Sequence, residues 1–359
     1  DPRNSSFRML SGVEVYGGFQ GTETSVDERN PTEYPVILSG DIDGDDSTAG
    51  GDTSENAYHV VIFDGIFSRP LIDGLHIIGG NADTNKSPYG GGIYITNLDD
   101  DSNVYPTINN CFVLNNAAET GGGIAIENGG ADITRTIIAR NKALARAGGI
   151  ITAGDLWLDN CLVTGNMAAG NVGAISIQSA GISTINNTTI TQNSGERFGG
   201  IQVFAGTLEV TNTLLWGNRS INGDSEQINV GSMGTLVSNY NCIEFIGEQS
   251  PGIGNLGVNP RFLDEFGPDN IPGTGDERFQ LLQQSPLIDA GDNSEVNSSI
   301  DLNGNNRQID DPYTTDTGSG DDGYPIVDIG ALEHRPESNN IGIWSGNNSD
   351  DFNDPENWL

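Results

Sequence analysis

A phrase that recurs about every 25 residues constrains this chain more than any other feature. It reads Cys111-Phe-Val-Leu-Asn-Asn116, Thr136-Ile-Ile-Ala-Arg-Asn141, Cys161-Leu-Val-Thr-Gly-Asn166, Thr188-Thr-Ile-Thr-Gln-Asn193 and Thr213-Leu-Leu-Trp-Gly-Asn218. The closing asparagines are spaced by 25, 25, 27 and 25 residues. A glycine phrase follows each of the first four: Gly122-Gly-Ile-Ala-Ile126, Gly148-Gly-Ile-Ile151, Gly173-Ala-Ile-Ser-Ile177 and Gly199-Gly-Ile-Gln-Val203. An earlier copy, Gly91-Gly-Ile-Tyr-Ile95, stands before them. A unit repeated in this way cannot bury its apolar face alone and must stack on its neighbours.

The residue types choose the kind of stack. Ile, Val and Thr alternate with small or polar residues over runs of three to five, the pattern of a half-buried strand. Gly and Asn stand between the runs, where turns call for positive φ. No run is long enough for an amphipathic helix, and the regular Leu skeleton of a leucine-rich repeat is missing. The expected fold is therefore all-β: a right-handed parallel β-helix with about 25 residues and three short strands per coil, closed by a loop-rich C-terminal cap. Coils would stack at about 4.8 Å. Asn116, Asn141, Asn166, Asn193 and Asn218 then form a ladder of side-chain amides. Ile124, Ile126, Ile150, Ile175, Ile177, Ile201 and Val203 form one inward apolar column. Cys111 and Cys161 share a slot two coils apart, roughly 10 Å, too far for a disulfide. They and Cys242 read as buried fillers. His76 is placed in the same inward slot.

The alternation of Gly-Gly-Ile with Phe-x-x-Asn resembles the repeats of polymorphic outer membrane proteins and other β-helix surface proteins of bacteria. The flanks resemble the choice-of-anchor Q subset. They carry Tyr16-Gly-Gly-Phe-Gln-Gly-Thr-Glu23, Ile37-Leu-Ser-Gly-Asp-Ile-Asp43, Tyr58-His-Val-Val61, Ile72-Asp-Gly74, Ser285-Pro-Leu-Ile-Asp-Ala-Gly291 and Asp328-Ile-Gly-Ala-Leu-Glu333. The resemblance covers about residues 7–335. It implies a secreted or cell-surface location and a scaffold or adhesin role. Fold of this kind does not fix function, since lyases, hydrolases and inert stalks share it. The expected division is irregular N-terminal coils over 1–62, regular coils over 63–248 and a cap with loops over 249–335. Residues 336–359 read as the start of a following extracellular module.

Charge narrows the partners. With 50 Asp and Glu against 15 Lys and Arg, the net charge is −35. Nucleic acid is excluded as a partner, because phosphates need a basic footprint. No apolar run reaches the length of a membrane span. Polysaccharide or a cell-surface glycan, and self-assembly within a larger surface protein, are the expected partners.

Two acidic loops suggest calcium as a structural cofactor. Asp41, Asp43, Asp45 and Asp52 fall at positions 1, 3, 5 and 12 of a calcium-loop count, although Asp46 stands where the sharp-turn Gly belongs. Asp301, Asn303, Asn305 and Asp310 form a second such run, again without that Gly. Solvated turns are the alternative for both.

No known catalytic set appears: no Ser-x-x-Lys, no Gly-x-Ser-x-Gly, no His-Glu-x-x-His, and only three histidines. Five basic residues lie between 135 and 197. Counting back four residues from the Ile of each glycine phrase gives Tyr89, Thr120, Arg146, Asn171 and Arg197. In register, this column would line one corner of the solenoid and hold an extended glycan, with Arg on its acidic groups. The competing reading pairs these Arg with Glu119 and Glu196. Polar loops at 82–89 and 97–105 would project beside it. The leading function is a non-catalytic surface scaffold or adhesin that binds polysaccharide and calcium. The alternative is a polysaccharide lyase or glycoside hydrolase acting on an anionic glycan.

Overall fold

The structure, a computed structural model, describes residues 1–46, 52–83, 87–98, 104–223, 227–244, 252–271, 273–320 and 323–336. The acidic runs 99–101 and 321–322 and the expected module beyond 336 lie outside them. The chain winds as a parallel β-helix. In the central coil, Ile124–Ile126 belongs to a first ladder, Gly130–Thr134 to a second and Ile137–Ala139 to a third. A short fourth ladder, here Lys142–Arg146, leads into the next coil, so the coil has one more strand than the three expected. The third ladder is an eight-stranded sheet and the fourth a six-stranded one. The first two merge into a single sheet where Ile201–Thr211 and Ile228–Asn239 run through the corner unbroken.

The repeat register holds. Ile124, Ile150, Ile175 and Ile201 pair in sequence down the first ladder. All seven residues of the expected inward column are at most 1% exposed. They face Ile133, Leu158, Ile138 and Val163 from the other ladders in one continuous core. The Gly-Gly phrases stand where coils touch. A Cβ on Gly148 would lie 2.5 Å from the Met167 nitrogen of the next coil. Close approach requires the glycine there. Positive φ belongs elsewhere, to Asn110, Arg135, Asn160, Asn187 and Asn212 at the corner after the second ladder.

The asparagine ladder is continuous and buried. Each amide Nδ2 donates to the Oδ1 of the next: Asn116 to Asn141 at 3.1 Å, Asn141 to Asn166 at 3.0 Å, Asn166 to Asn193 at 2.9 Å, Asn193 to Asn218 at 2.8 Å. Each Oδ1 also takes the backbone N–H of the preceding asparagine. Asn218 closes the run on Gln227. Beside it, Cys111, Thr136, Cys161, Thr188 and Thr213 do similar work. Each of the last four accepts the backbone N–H of the slot before it. Sulfur and hydroxyl both accept, which is why Cys and Thr interchange here. The three cysteines are free and buried, and burial pushes their thiols up, to about 12 for Cys111 and Cys242. An Asn166→Ala variant leaves the buried Asn141 backbone N–H without its acceptor and the Ile138 carbonyl without the Asn166 amide, and is expected to cost on the order of 2 kcal/mol. Cys161→Thr keeps an acceptor and should melt within about 1 kcal/mol of wild type. A thermal melt that ranks the two the other way would reject the ladder as a stabilising element.

His76 is a correction. Leu75, not His76, fills the inward slot, and His76 points out of the third ladder, stacked on Phe112 at 4.2 Å.

The C-terminal section covers the end of the stack and also clamps its side. Leu256 bridges Cys242 on the last coil. Residues further on bury Phe262, Phe279, Leu281, Leu287, Ile288 and Ile329 against Leu214 and Cys242 of the third ladder. Asn212 and Asp292 exchange two hydrogen bonds, at 2.9 and 2.7 Å, across this seam.

Candidate functional site

The expected corner column lines up. Tyr89 bridges Thr120, Thr120 pairs with Arg146, and the Arg197 N–H donates to the Asn171 carbonyl at 3.0 Å. Tyr89, Arg146 and Arg197 are exposed, while Thr120 is buried. The Asn171 amide is taken up by Gln202. Among the described residues neither Arg146 nor Arg197 forms an ion pair with Glu119 or Glu196. Arg197 lies 5.4 Å from the ring of Phe198. Tyr89, Glu119, Thr120, Glu127, Arg146 and Gln178 line a cleft of about 440 Å³ there. Arg197 and Asn171 stand outside its walls.

A larger groove, about 820 Å³, runs along the outer face of the second ladder. Strand Asp155–Asp159 explains it. Leu156 and Leu158 alternate into the core, so Trp157 between them faces out and is 49% exposed. Asp132 precedes Trp157 in the ladder, and Thr184 and Glu209 follow it, one coil apart each. The groove edges are fixed. Arg69 pairs with Asp132 at 2.8 Å, and Asp155 accepts the Tyr105 hydroxyl at 2.9 Å and the Ile182 N–H at 3.0 Å. Burial pushes the Asp132 carboxyl up, against the pull of Arg69. The sequence reading missed this groove. The available signal was a Trp in an outward slot between two inward leucines.

The acidic loops gather different residues from those their spacing suggests. Asp41, Asp43 and Asp45 bring oxygens together with Glu55, all within 4.8 Å of one another. Asp52 is not one of the four and instead accepts the Ser54 N–H at 2.9 Å to start the short 3-10 turn Thr53–Glu55 that carries Glu55 in. Desolvation and the charges of Asp43 and Asp41 push Asp45 up. Residues 47–51 lie outside the described residues. In the second loop Asp301 is wholly buried. Its Oδ1 accepts the N–H groups of Asn303 and Asn305, at 2.9 and 2.8 Å, and its Oδ2 that of Glu333 at 3.1 Å. Backbone donors therefore occupy the carboxylate expected to hold metal. Asp310 lies instead with Asp289 and Asp316.

Histidine chemistry finds no place in either groove. His59 is buried, stacked on Tyr94 at 4.8 Å, and burial pushes its pKa down. His334 sits in the cap with its Nδ1 3.1 Å from the Leu281 carbonyl. The groove side chains can stack on, hydrogen-bond and sort a ligand by charge. Set beside known proteins, the chain matches no family model, no curated sequence and no solved structure.

Proposed function

We propose that this chain is the shaft of a secreted or surface-displayed bacterial protein, a scaffold or adhesin that binds polysaccharide along its second ladder without cleaving it. The likeness of its repeats and flanks to choice-of-anchor Q surface proteins agrees with that setting. One observation carries the reading: the half-exposed Trp157, held on a rigid ladder in an open groove. An indole face exposed in a groove is a platform for the apolar face of a flat ligand such as a sugar ring. Hydroxyl and carboxylate groups recur along it at coil spacing, about 4.8 Å, close to the advance of one sugar unit. Asp132, Asp155 and Glu209 outnumber Arg69 in the groove wall. This balance selects neutral or amine-bearing sugars and rejects uronates. The Arg146–Arg197 corner supports a second reading, with anionic glycan bound there, and it is the corner on which a lyase or hydrolase would have to act.

A glycan array followed by calorimetry on the hits separates the two. Trp157→Ala is expected to abolish binding of neutral or amino glycans, by at least about tenfold for a lost buried aromatic contact. Its melting temperature should change little, because the side chain stands outside the core. The Arg146→Ala, Arg197→Ala pair should leave that binding intact. Binding confined to uronates and lost in the arginine pair would move the site to the corner. Unsaturated or reducing sugar ends appearing over time would overturn the non-catalytic reading.

A further inference from the structure

Two other cap segments, 310–319 and the one that carries Asp328, converge on Asp289. The N–H groups of Thr317 and Gly318 donate to its carbonyl at 2.9 and 3.1 Å, the Asp311 N–H reaches its Oδ2 at 3.4 Å, and its own N–H donates to Asp328 Oδ1 at 2.8 Å. The residue is 0% exposed. Its Oδ1 is sealed from water and has no hydrogen-bond partner. A surface cluster of acids needs no ion, since water solvates it. A wholly buried carboxylate oxygen with no donor has no such outlet and costs free energy. Asp310 and Asp316, both exposed, bring carboxylate oxygens to the Asp289 carboxylate, and one oxygen from each of the three lies within 4.8 Å of the others. Among the described residues none of the three forms an ion pair.

Three carboxylate oxygens brought this close together suit a hard divalent cation. Calcium binds oxygen at about 2.3–2.6 Å, so its ligands stand at most about 5 Å apart across the ion. Magnesium, at about 2.0–2.1 Å, draws its ligands closer and demands octahedral geometry. We propose that Asp289, Asp310 and Asp316 form a calcium site that ties the segment around 310–319 to the buried turn of the cap that carries Asp289. Asp289 supplies the buried oxygen, and the two exposed aspartates leave the ion a path from solvent. Remaining positions would be filled by water. The site stands apart from the glycan groove and does not depend on it.

The test uses the full chain, because a separate acidic loop, Asp41 to Glu55, must be controlled for. Calcium chloride is titrated into chelator-treated protein by calorimetry, and melting is followed at matched ionic strength. Wild type should bind calcium and melt higher with it, as a ligand of the folded state requires. The Asp310→Asn, Asp316→Asn pair, exposed and safe for folding, should weaken one binding event by about tenfold or more through lost ligand charge. It should also lose the rise in melting temperature. Asp43→Asn, Asp45→Asn should leave that event unchanged. Asp289→Asn should behave like the first pair if it folds. The site is overturned if calcium protects the Asp310, Asp316 variant as well as it protects wild type, or protects neither. Equal protection by magnesium at the same concentration overturns the choice of ion.

Discussion

An Ile175→Asp variant is expected to lose the middle of the solenoid. Ile175 is 0% exposed and pairs in register with Ile150 above and Ile201 below. Removing its apolar burial costs about 1.5–3 kcal/mol. The introduced carboxylate adds the larger penalty, several kcal/mol, since the column offers it neither donor nor counter-charge. In a solenoid each coil is stabilised by its neighbours, so the loss propagates along the stack. Trp157→Asp supplies the contrast: the same new side chain, one coil earlier on an outward slot. Urea unfolding followed by circular dichroism should show the Ile175 variant melting early or in two steps, and the Trp157 variant near wild type. Equal curves would mean that the inward register is wrong.

What the sequence revealed follows from what the period preserves. Between Cys111 and Asn218 the coil length is nearly constant, so the asparagine ladder, the Cys/Thr slot and the isoleucine column could be counted directly. The corner column was aligned from the glycine phrases. That choice mattered, because a bulge between Ala118 and Thr120 shifts the register just upstream of them. Where the period breaks, counting failed. The third-ladder strands at Leu75 and Cys111 are separated by an enlarged coil, and a slip of one residue moved His76 from the outer to the inner face. Trp157 was hidden because the repeat has no Trp in that slot in other coils. The regrouping of Asp310 with Asp289 and Asp316 had no local signature at all. Calcium-loop counting looks along the chain, whereas these three acids are brought together by the folding of the cap.

The docking of the cap on the solenoid leads to the second large effect. Arg307→Met is expected to release the cap from the flank of the solenoid. Arg307 is 0% exposed. Its Nη2 donates to the carbonyls of Asp328, at 3.0 Å, and Gly330, at 2.5 Å, and to Asn187 Oδ1 of the solenoid at 3.3 Å. Its Nη1 stands 3.7 Å from Glu333. Asp328 and Glu333, both at most 5% exposed, feel the charge of this single guanidinium. Methionine would fill the space and leave the carboxylates without their cation. Breaking a buried pair in this way costs about 3–5 kcal/mol. Arg8→Met is the control, because Arg8 and Asp64 pair at 2.9 Å on the surface and such pairs contribute about 0–1 kcal/mol. The loss should depend on pH with a definite sign. Burial pushes Asp328 up to about 7 and raises Glu333 as well. A carboxyl whose folded pKa lies above its unfolded value contributes fully only below the unfolded value, near 4, and its contribution is lost as pH rises through about 7. The Arg307 variant should therefore be weakest near pH 8 and partly restored near pH 5, where Asp328 carries a proton. Limited proteolysis reports the cap, through cleavage within 285–320, while circular dichroism reports the coils. Cleavage that is equally fast at both pH values would show that packing, not the uncompensated carboxylates, holds the cap down.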